Sequence, residues 1–207
     1  MTLYPKGERA LQVCQSLTDR IGPRPLGSAT NQAASDYIYQ QFLEMGLAPA
    51  RQLFVCPEWI SLGVSLQVNG KPLPAVVNSF SPPCDIEAGL SPISSLPELE
   101  RVDLSDQIAV LYGDLTQGTG YSVRSAFYFP EKDQQVFNIL EDKRPAAVIT
   151  VHSKPGGNER LIRDWQFPIP SITVPADIGL ELLLGYRCHA HLQIQSNRVG
   201  GVQPGTF

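Results

Sequence analysis

The fold is decided by two compact apolar runs, QIAVLY at residues 107–112 and AAVITV at residues 146–151. Each run is short, rich in aliphatic side chains and bounded by polar or turn residues, as is typical of a strand buried on both faces. Between them, residues 131–143 place Val136, Phe137 and Leu140 on one face of a predicted helix. A strand, a helix and a strand in this order predict a crossover unit with parallel pairing.

Toward the C-terminus, the run IPSITV at residues 169–174 predicts a third strand, followed by a helix whose first turn is opened by Pro175. Gly179 lies inside this helix and predicts a close contact between the helix and the sheet. Apolar and polar residues then alternate from Cys188 to Ile194, which indicates a closing strand. Two long loops, residues 113–130 and 152–167, connect these elements.

Toward the N-terminus, a period of two predicts strands at residues 52–56, 64–68 and 73–77. Asn69-Gly70 is a strong hairpin signal between the second and the third of these strands. Pro72 and Pro74 make residues 73–77 an edge strand, because proline cannot donate to a ladder. Residues 79–84 are predicted to form a loop and to be followed by an acidic, solvated connection that contains the carboxylates Glu98, Glu100, Asp103 and Asp106.

The first 50 residues predict a two-helix arm. The first helix covers residues 8–21 and ends at Gly22-Pro23. The second helix begins at a cap supplied by Ser28 or Thr30 and ends near Met45. Each helix carries an apolar stripe, formed by Leu11, Cys14, Leu17, Thr18 and Ile21 in the first and by Ala34, Ile38, Phe42 and Met45 in the second. Two helices of this size cannot bury both stripes against each other, so we expect them to dock elsewhere.

Composition excludes several classes of protein. The 207 residues include 20 acidic and 16 basic side chains, for a net charge of -4, without a basic cluster suited to nucleic acid. The sequence has no apolar run near the roughly 20 residues of a membrane span. The N-terminus lacks the apolar stretch of a secretory signal, so a cytoplasmic location is expected. The four cysteines form no CxxC and are expected to be reduced core thiols: Cys14, Cys56, Cys84 and Cys188.

Candidate chemical groups are sparse. His189 and His191 share one face of a strand, but the sequence places no third or fourth zinc ligand beside them. His152 begins a loop at the end of a strand, where binding residues occur in α/β sheets. Gly113, Gly118 and Gly120 follow a strand without the spacing of a phosphate-binding loop. We therefore predict no catalytic, cofactor-binding or metal-ligating residue, and interpret the histidines as surface or loop residues and the glycines as loop residues.

Two blocks of sequence carry a family resemblance. LTDRIGPRPLGS at residues 17–28, followed by Asn31, Ala34 and Gly46-Leu47, resembles the entry segment of zinc-dependent aminopeptidases related to bacterial leucine aminopeptidase, glutamate carboxypeptidase and the transferrin receptor. DLSDQIAVLYG at residues 103–113, RPAAVI at 144–149 and IPSITV at 169–174 resemble the protease-associated (PA) domain inserted in many of these enzymes. Gln107 stands where the family commonly has lysine.

The resemblance implies a mixed α/β fold and a division of the chain. Residues 1–50 would be a helical arm of a peptidase domain, residues 51–196 the PA domain, and residues 197–207 the start of a return strand toward the catalytic domain. The metal ligands and general base of the family would follow Phe207, so zinc would belong to a longer enzyme and the chain alone would be inactive. The rival hypothesis is a stand-alone module that binds a protein or peptide, without enzymatic activity.

The resemblance also suggests a role and partners. The PA domain would act as a lid over the active site, with Tyr121, Arg124, Lys154, Arg160 and Trp165 in the two long loops contacting a peptide substrate. The arm would pack on the peptidase domain. In the isolated chain its uncovered stripes would favour a homodimer. Neither nucleic acid nor a membrane is an expected partner.

Overall fold

The computed structural model describes residues 6–25, 27–52, 58–118, 120–124, 127–157, 159–184 and 189–199. The chain forms two compact units, one built from residues up to Ile60 together with those from Arg198, and one from Ser61–Asn197. The predicted strand at residues 52–56 lies almost wholly outside the described residues, as does the return segment after Val199.

The first unit contains the two predicted helices. Helix α1, Lys6–Gln15, continues into a π-helical segment, Ser16–Ile21, and Gly22 follows with a φ of 75°. Helix α2 covers Ala29–Glu44, and the Ser28 side chain accepts a hydrogen bond from the Asn31 N–H as the N-cap. This confirms the helix ends and selects Ser28 over Thr30 as the cap.

The apolar stripes of the arm are largely open to solvent. Leu11 is 59% exposed and Met45 48%, and Ile38 and Phe42 on α2 are also exposed. Of the predicted stripe residues on α2, only Ala34 is buried. Within the first unit, the two stripes therefore do not cover each other, as expected from their size.

The second unit is built around one eight-stranded sheet with the spatial order β2-β1-β8-β4-β5-β6-β7-β3. Strands β4 to β7 run parallel, and β8 and β3 pair antiparallel with β4 and β7. The strands are β1 Glu58–Val68, β2 Lys71–Leu73, β3 Val76–Val77, β4 Cys84–Ile93, β5 Gln107–Leu111, β6 Ala147–Val151, β7 Ser171–Val174 and β8 His189–Val199.

The predicted crossover is confirmed. Helix α4, Glu131–Lys143, connects the parallel neighbours β5 and β6, and every residue of β6 is buried. Helix α5, Ala176–Leu184, follows β7, and Gly179 lies so close to the sheet that an added Cβ would be 2.0 Å from the Val151 Cγ1. The mixed α/β fold expected from the sequence is therefore present.

The single strand predicted at residues 73–77 is wrong. Lys71–Leu73 pairs with β1 through the predicted hairpin, whereas Val76–Val77 pairs with β7 at the opposite end of the strand order. Pro74 lies at the break, where its missing N–H interrupts a ladder. The edge position expected for the strand that contains Pro72 is nevertheless observed.

The acidic connection predicted before β5 is also wrong, because it contains ordered structure. Residues 84–93 form β4 in the middle of the sheet, and Leu96–Arg101 form the short helix α3. Pro92 is tolerated because it lies beyond the part of β4 that pairs with β8, so only β5 pairs there. Glu98 is half-buried and accepts hydrogen bonds from the Ser94 N–H and hydroxyl, at 2.7 and 2.9 Å.

The main core lies between α4 and the sheet. Phe137 contacts Tyr121, Phe129 and Phe167, with ring centroids 5.3, 5.8 and 4.9 Å away. Val136 and Leu140 are fully buried beside it, as the helical periodicity predicts. In the described part of the chain, no helix has the length and apolar character needed to cross a membrane.

Candidate functional site

Two long loops lie at one edge of the sheet. Residues 113–130, the first loop, follow β5, and residues 152–167, the second loop, follow β6. Because β5 and β6 are parallel neighbours, both loops leave from the carboxyl ends of their strands. This edge is where open α/β sheets place their binding residues.

The two loops are held together by a clasp. The Tyr121 N–H donates to the Leu161 carbonyl at 2.8 Å, and the Arg124 N–H donates to the Asp164 Oδ2 at 2.7 Å. The Arg124 guanidinium also forms ion pairs with Glu141 on α4 and with Asp164, which is almost fully buried. A charge-assisted network of this kind fixes both loops to α4 and to each other.

Three of the five predicted substrate-contacting residues are engaged within the fold. Tyr121 is 3% exposed, and its hydroxyl donates to the Leu115 carbonyl, while burial raises its pKa. Arg124 belongs to the clasp, and the Arg160 Nε donates to the Val77 carbonyl at 2.8 Å. For Tyr121 the predicted contact is wrong, because its side chain is packed in the core. Arg124 and Arg160 help to hold the loops in position.

The exposed side chains of the loops include Lys154, Trp165 and two aromatic residues that sequence reasoning missed. Phe127 is fully exposed and Tyr128 is 72% exposed, whereas the adjacent Phe129 packs on Phe137. The sequence signal for these two residues is the run of three aromatic residues, 127–129, in a loop that contains glycine. A single ring is enough to anchor the loop in the core, so the other rings are free to serve another purpose. We call Phe127, Tyr128 and Trp165 the aromatic platform.

His152 is buried rather than exposed in its loop. Its Nε2 lies 2.8 Å from the Glu159 Oε2, and its Nδ1 accepts a hydrogen bond from the Lys154 N–H at 3.1 Å. Gly157 closes over the ring, where a Cβ would be 2.2 Å from the imidazole. The acceptor role of Nδ1 places the proton of the neutral ring on Nε2, facing the carboxylate. These contacts make His152 an organising residue of the second loop.

The remaining histidines are surface residues of β8. His189 is exposed, and the His191 Nε2 lies 2.6 Å from the Asp85 Oδ1 on the neighbouring strand β4. Across the described residues, no group of three or more His, Cys, Asp or Glu side chains is arranged to hold a metal ion. The described residues therefore do not fit zinc, which needs three or four protein ligands, and we assign no zinc ligand among them.

The loop glycines are explained by backbone geometry. Gly113, Gly118 and Gly120 all have positive φ, and a Cβ on Gly120 would be 2.7 Å from the Leu161 carbonyl oxygen. Gly120 therefore permits the close approach of the two loops at the clasp.

Asp103 at the other end of β5 is solvent-exposed as predicted, and hydrogen bonds from the Ser105 N–H and hydroxyl lower its pKa.

The cysteines differ in environment. Cys14 is exposed, so its predicted burial is wrong, whereas Cys84 is half-buried at the start of β4. Burial, with a smaller contribution from the charge of Asp85, raises the pKa of Cys84 to about 11. Cys56 and Cys188 lie outside the described residues.

We predict that iodoacetamide at pH 8 modifies Cys14 much faster than Cys84, because only the thiolate reacts and Cys84 is almost entirely protonated there. Peptide mapping by mass spectrometry would follow each cysteine separately. The rate at Cys84 should keep rising as the pH approaches 11. Equal rates at the two sites in the folded chain at pH 8 would contradict the prediction.

Several solved structures have a fold similar to that of this chain. An aminopeptidase from Aneurinibacillus sp. strain AM-1 is 19% identical with a TM-score of 0.67, and the match covers 93% of this chain and 45% of that one. A zinc aminopeptidase from Bacillus subtilis is 19% identical with a TM-score of 0.68, covering 100% and 47%. A peptidase M28 precursor from Shewanella amazonensis SB2B is 16% identical with a TM-score of 0.66, covering 91% and 47%.

These likenesses establish the fold. The chain has a mixed α/β fold similar to the PA-domain regions of aminopeptidases, and it spans less than half the length of these solved chains. No protein-family model matches the sequence. No curated protein sequence matches it either.

Proposed function

We propose that this chain is the N-terminal arm and PA domain of a zinc aminopeptidase and performs no hydrolysis by itself. The observation that carries the proposal is the coverage: 91–100% of this chain, but only 45–47% of the aminopeptidase chains, takes part in the structural match. Zinc and the catalytic groups would be supplied by the other part of a longer polypeptide. The resemblance at residues 17–28 supports the same assignment.

The test compares two proteins. One is the product of the complete reading frame that contains this sequence, and the other is the 207-residue chain alone. We expect zinc and aminopeptidase activity in the first and neither in the second. Zinc-dependent peptide cleavage by the chain alone would overturn the proposal. A complete reading frame without a peptidase domain would favour the stand-alone module that binds a protein or peptide.

Within such an enzyme, we propose that the two loops form a lid. The clasp of Arg124, Asp164 and Glu141 makes them one rigid body, and the aromatic platform provides the large exposed side chains that contact a peptide at low entropic cost. A rigid lid restricts access to a cleft and discriminates between substrates by length.

Replacing Phe127 and Tyr128 together with alanine is predicted to lower kcat/KM for peptides of four or more residues by roughly tenfold in the complete enzyme. The zinc content and the activity on a single-residue chromogenic substrate should remain unchanged, because the metal site is not altered. Leu62→Ala, at an exposed apolar residue of β1, is the matched control. Unchanged kinetics at every peptide length would remove the lid from the proposal.

The arm is proposed to dock on the peptidase domain through a groove of about 540 Å³ on α2. This groove is lined mainly by apolar residues, among them Ile38, Tyr39, Phe42 and Leu47. In the isolated 207-residue chain, we predict that the uncovered groove causes self-association, which sedimentation velocity would detect. Phe42→Glu should restore a monomer, whereas Gln40→Glu on the same helix should not. A wild-type chain that stays strictly monomeric at about 100 μM, a concentration at which weak dimers form, would contradict this.

A further inference from the structure

The arm contains a second cavity whose lining is polar. It has a volume of about 580 Å³ and lies between α1 with its π segment and α2. The lining residues are Arg9, Gln12, Val13, Gln15, Ser16, Arg20, Tyr37, Gln41 and Glu44. This volume is within the range of small-molecule sites, roughly 300–1,000 Å³.

Two guanidinium groups border this cavity without an ion-pair partner among the residues that the structure describes. Two nearby carboxylates are engaged elsewhere: Asp19 accepts from the Thr18 hydroxyl, and Asp36 pairs with Arg51 at 2.7 Å. Only Glu44 contributes a negative charge to the lining, and it accepts a hydrogen bond from Gln41. The cavity therefore has a formal charge of +1, with Arg9 and Arg20 available to an anion.

Arg20, which lies in the π segment, also belongs to this lining. Arg9, Gln12, Val13 and Ser16 follow one another at helical spacing on a single face of the first helix, and Arg20 continues this face through the wider turn at Ser16–Ile21. The turn is fixed by the Arg24 guanidinium, which donates to the Leu17 and Gly22 carbonyls, and by the Gly22 N–H, which donates to Leu17 at 3.2 Å.

We propose that this cavity binds a small molecule that carries one carboxylate and an amide-containing body. Arg9 and Arg20 are the two guanidinium groups available to the carboxylate, and a planar guanidinium matches it with paired hydrogen bonds. The amide groups of Gln12, Gln15 and Gln41 and the Tyr37 hydroxyl supply donors and acceptors for the rest of the ligand. The net charge of +1 matches a single carboxylate better than a phosphate dianion, because Glu44 repels additional negative charge.

The experiment titrates the 207-residue chain with N-acetylglycine and follows binding by NMR chemical shifts. N-acetylglycinamide has the same body without the negative charge, and inorganic phosphate tests the second kind of oxyanion. We expect saturable binding of N-acetylglycine, with affinity lower by roughly tenfold to a hundredfold in the Arg9→Gln/Arg20→Gln variant, as expected for lost charge-assisted hydrogen bonds. Arg101→Gln, at an exposed arginine of α3, should bind as the wild type does.

Each contrary result overturns the assignment. Absence of saturable binding would remove the site. Equal binding of the neutral amide, or unchanged affinity in the double variant, would show that the guanidinium groups do not hold the ligand. Tighter binding of phosphate would show that the charge of the cavity does not select a single carboxylate. Because glutamine preserves hydrogen bonding and helix propensity, the double variant should fold, and an unchanged far-UV circular dichroism spectrum verifies this.

Discussion

Replacing Phe137 with alanine is expected to lower the free energy of unfolding of the second unit by about 4 kcal/mol. The side chain is fully buried at the centre of the core, and three other aromatic rings contact it. The Arg124 guanidinium also lies over its face, 5.3 Å from the ring centroid. Truncation therefore removes packing from α4, from both loops and from the clasp at once.

Urea denaturation followed by tyrosine and tryptophan fluorescence would measure the loss. Phe127→Ala is the matched control, since it removes the same side chain from a fully exposed position in the first loop. Its effect should be about 0.5 kcal/mol or less. A Phe137→Ala variant as stable as the Phe127→Ala variant would contradict the proposed core.

Replacing Gly179 with alanine is expected to destabilise the second unit by about 2 kcal/mol, although alanine is the better helix former by roughly 1 kcal/mol. The added Cβ would lie 2.0 Å from the Val151 Cγ1, so α5 or β6 must move. Gly179 is helical rather than left-handed, and the cost therefore comes from overpacking alone.

A double-mutant cycle separates this contact from other effects. Val151→Ala removes the clashing methyl groups, so Gly179→Ala should cost less in that background, with a coupling energy of about 1 kcal/mol. Leu180→Ala, on the exposed side of the same helix, is the control for substitution in α5. Additive effects of Gly179→Ala and Val151→Ala would argue against a close contact between α5 and β6.

The parts of the fold that could be predicted are those in which one periodicity dominates. Strands β5 and β6 are uninterrupted apolar runs, and α4 has a helical stripe ended by Arg144, so local pattern and tertiary burial agree. Strand β4 was missed because Asp85, Glu87 and Pro92 interrupt its apolar pattern. Its central position is set by pairing with β5 and with β8, and β8 is about 100 residues away in sequence.

The candidate site was predicted less well than the fold. The two loops were identified from their length, but a loop sequence does not show which side chains turn inward. Tyr121 and Arg124 were expected at the surface and instead anchor the clasp, because the core below α4 accepts the ring and Asp164 is a buried partner for the cation. The exposure of Phe127 and Tyr128 depends on Phe129 occupying the core position, which only the tertiary structure decides.

The break at Pro74 has a consequence for what can bind this domain. Leu73 and Val76 belong to the two outermost strands, yet only three peptide steps join them, a reach of about 11 Å at most. Eight flat strands would place those edges roughly 34 Å apart, so the sheet must curl until its first and last strands come close. Such near-closure leaves less room beside β2 and β3, where a guest strand could otherwise be added.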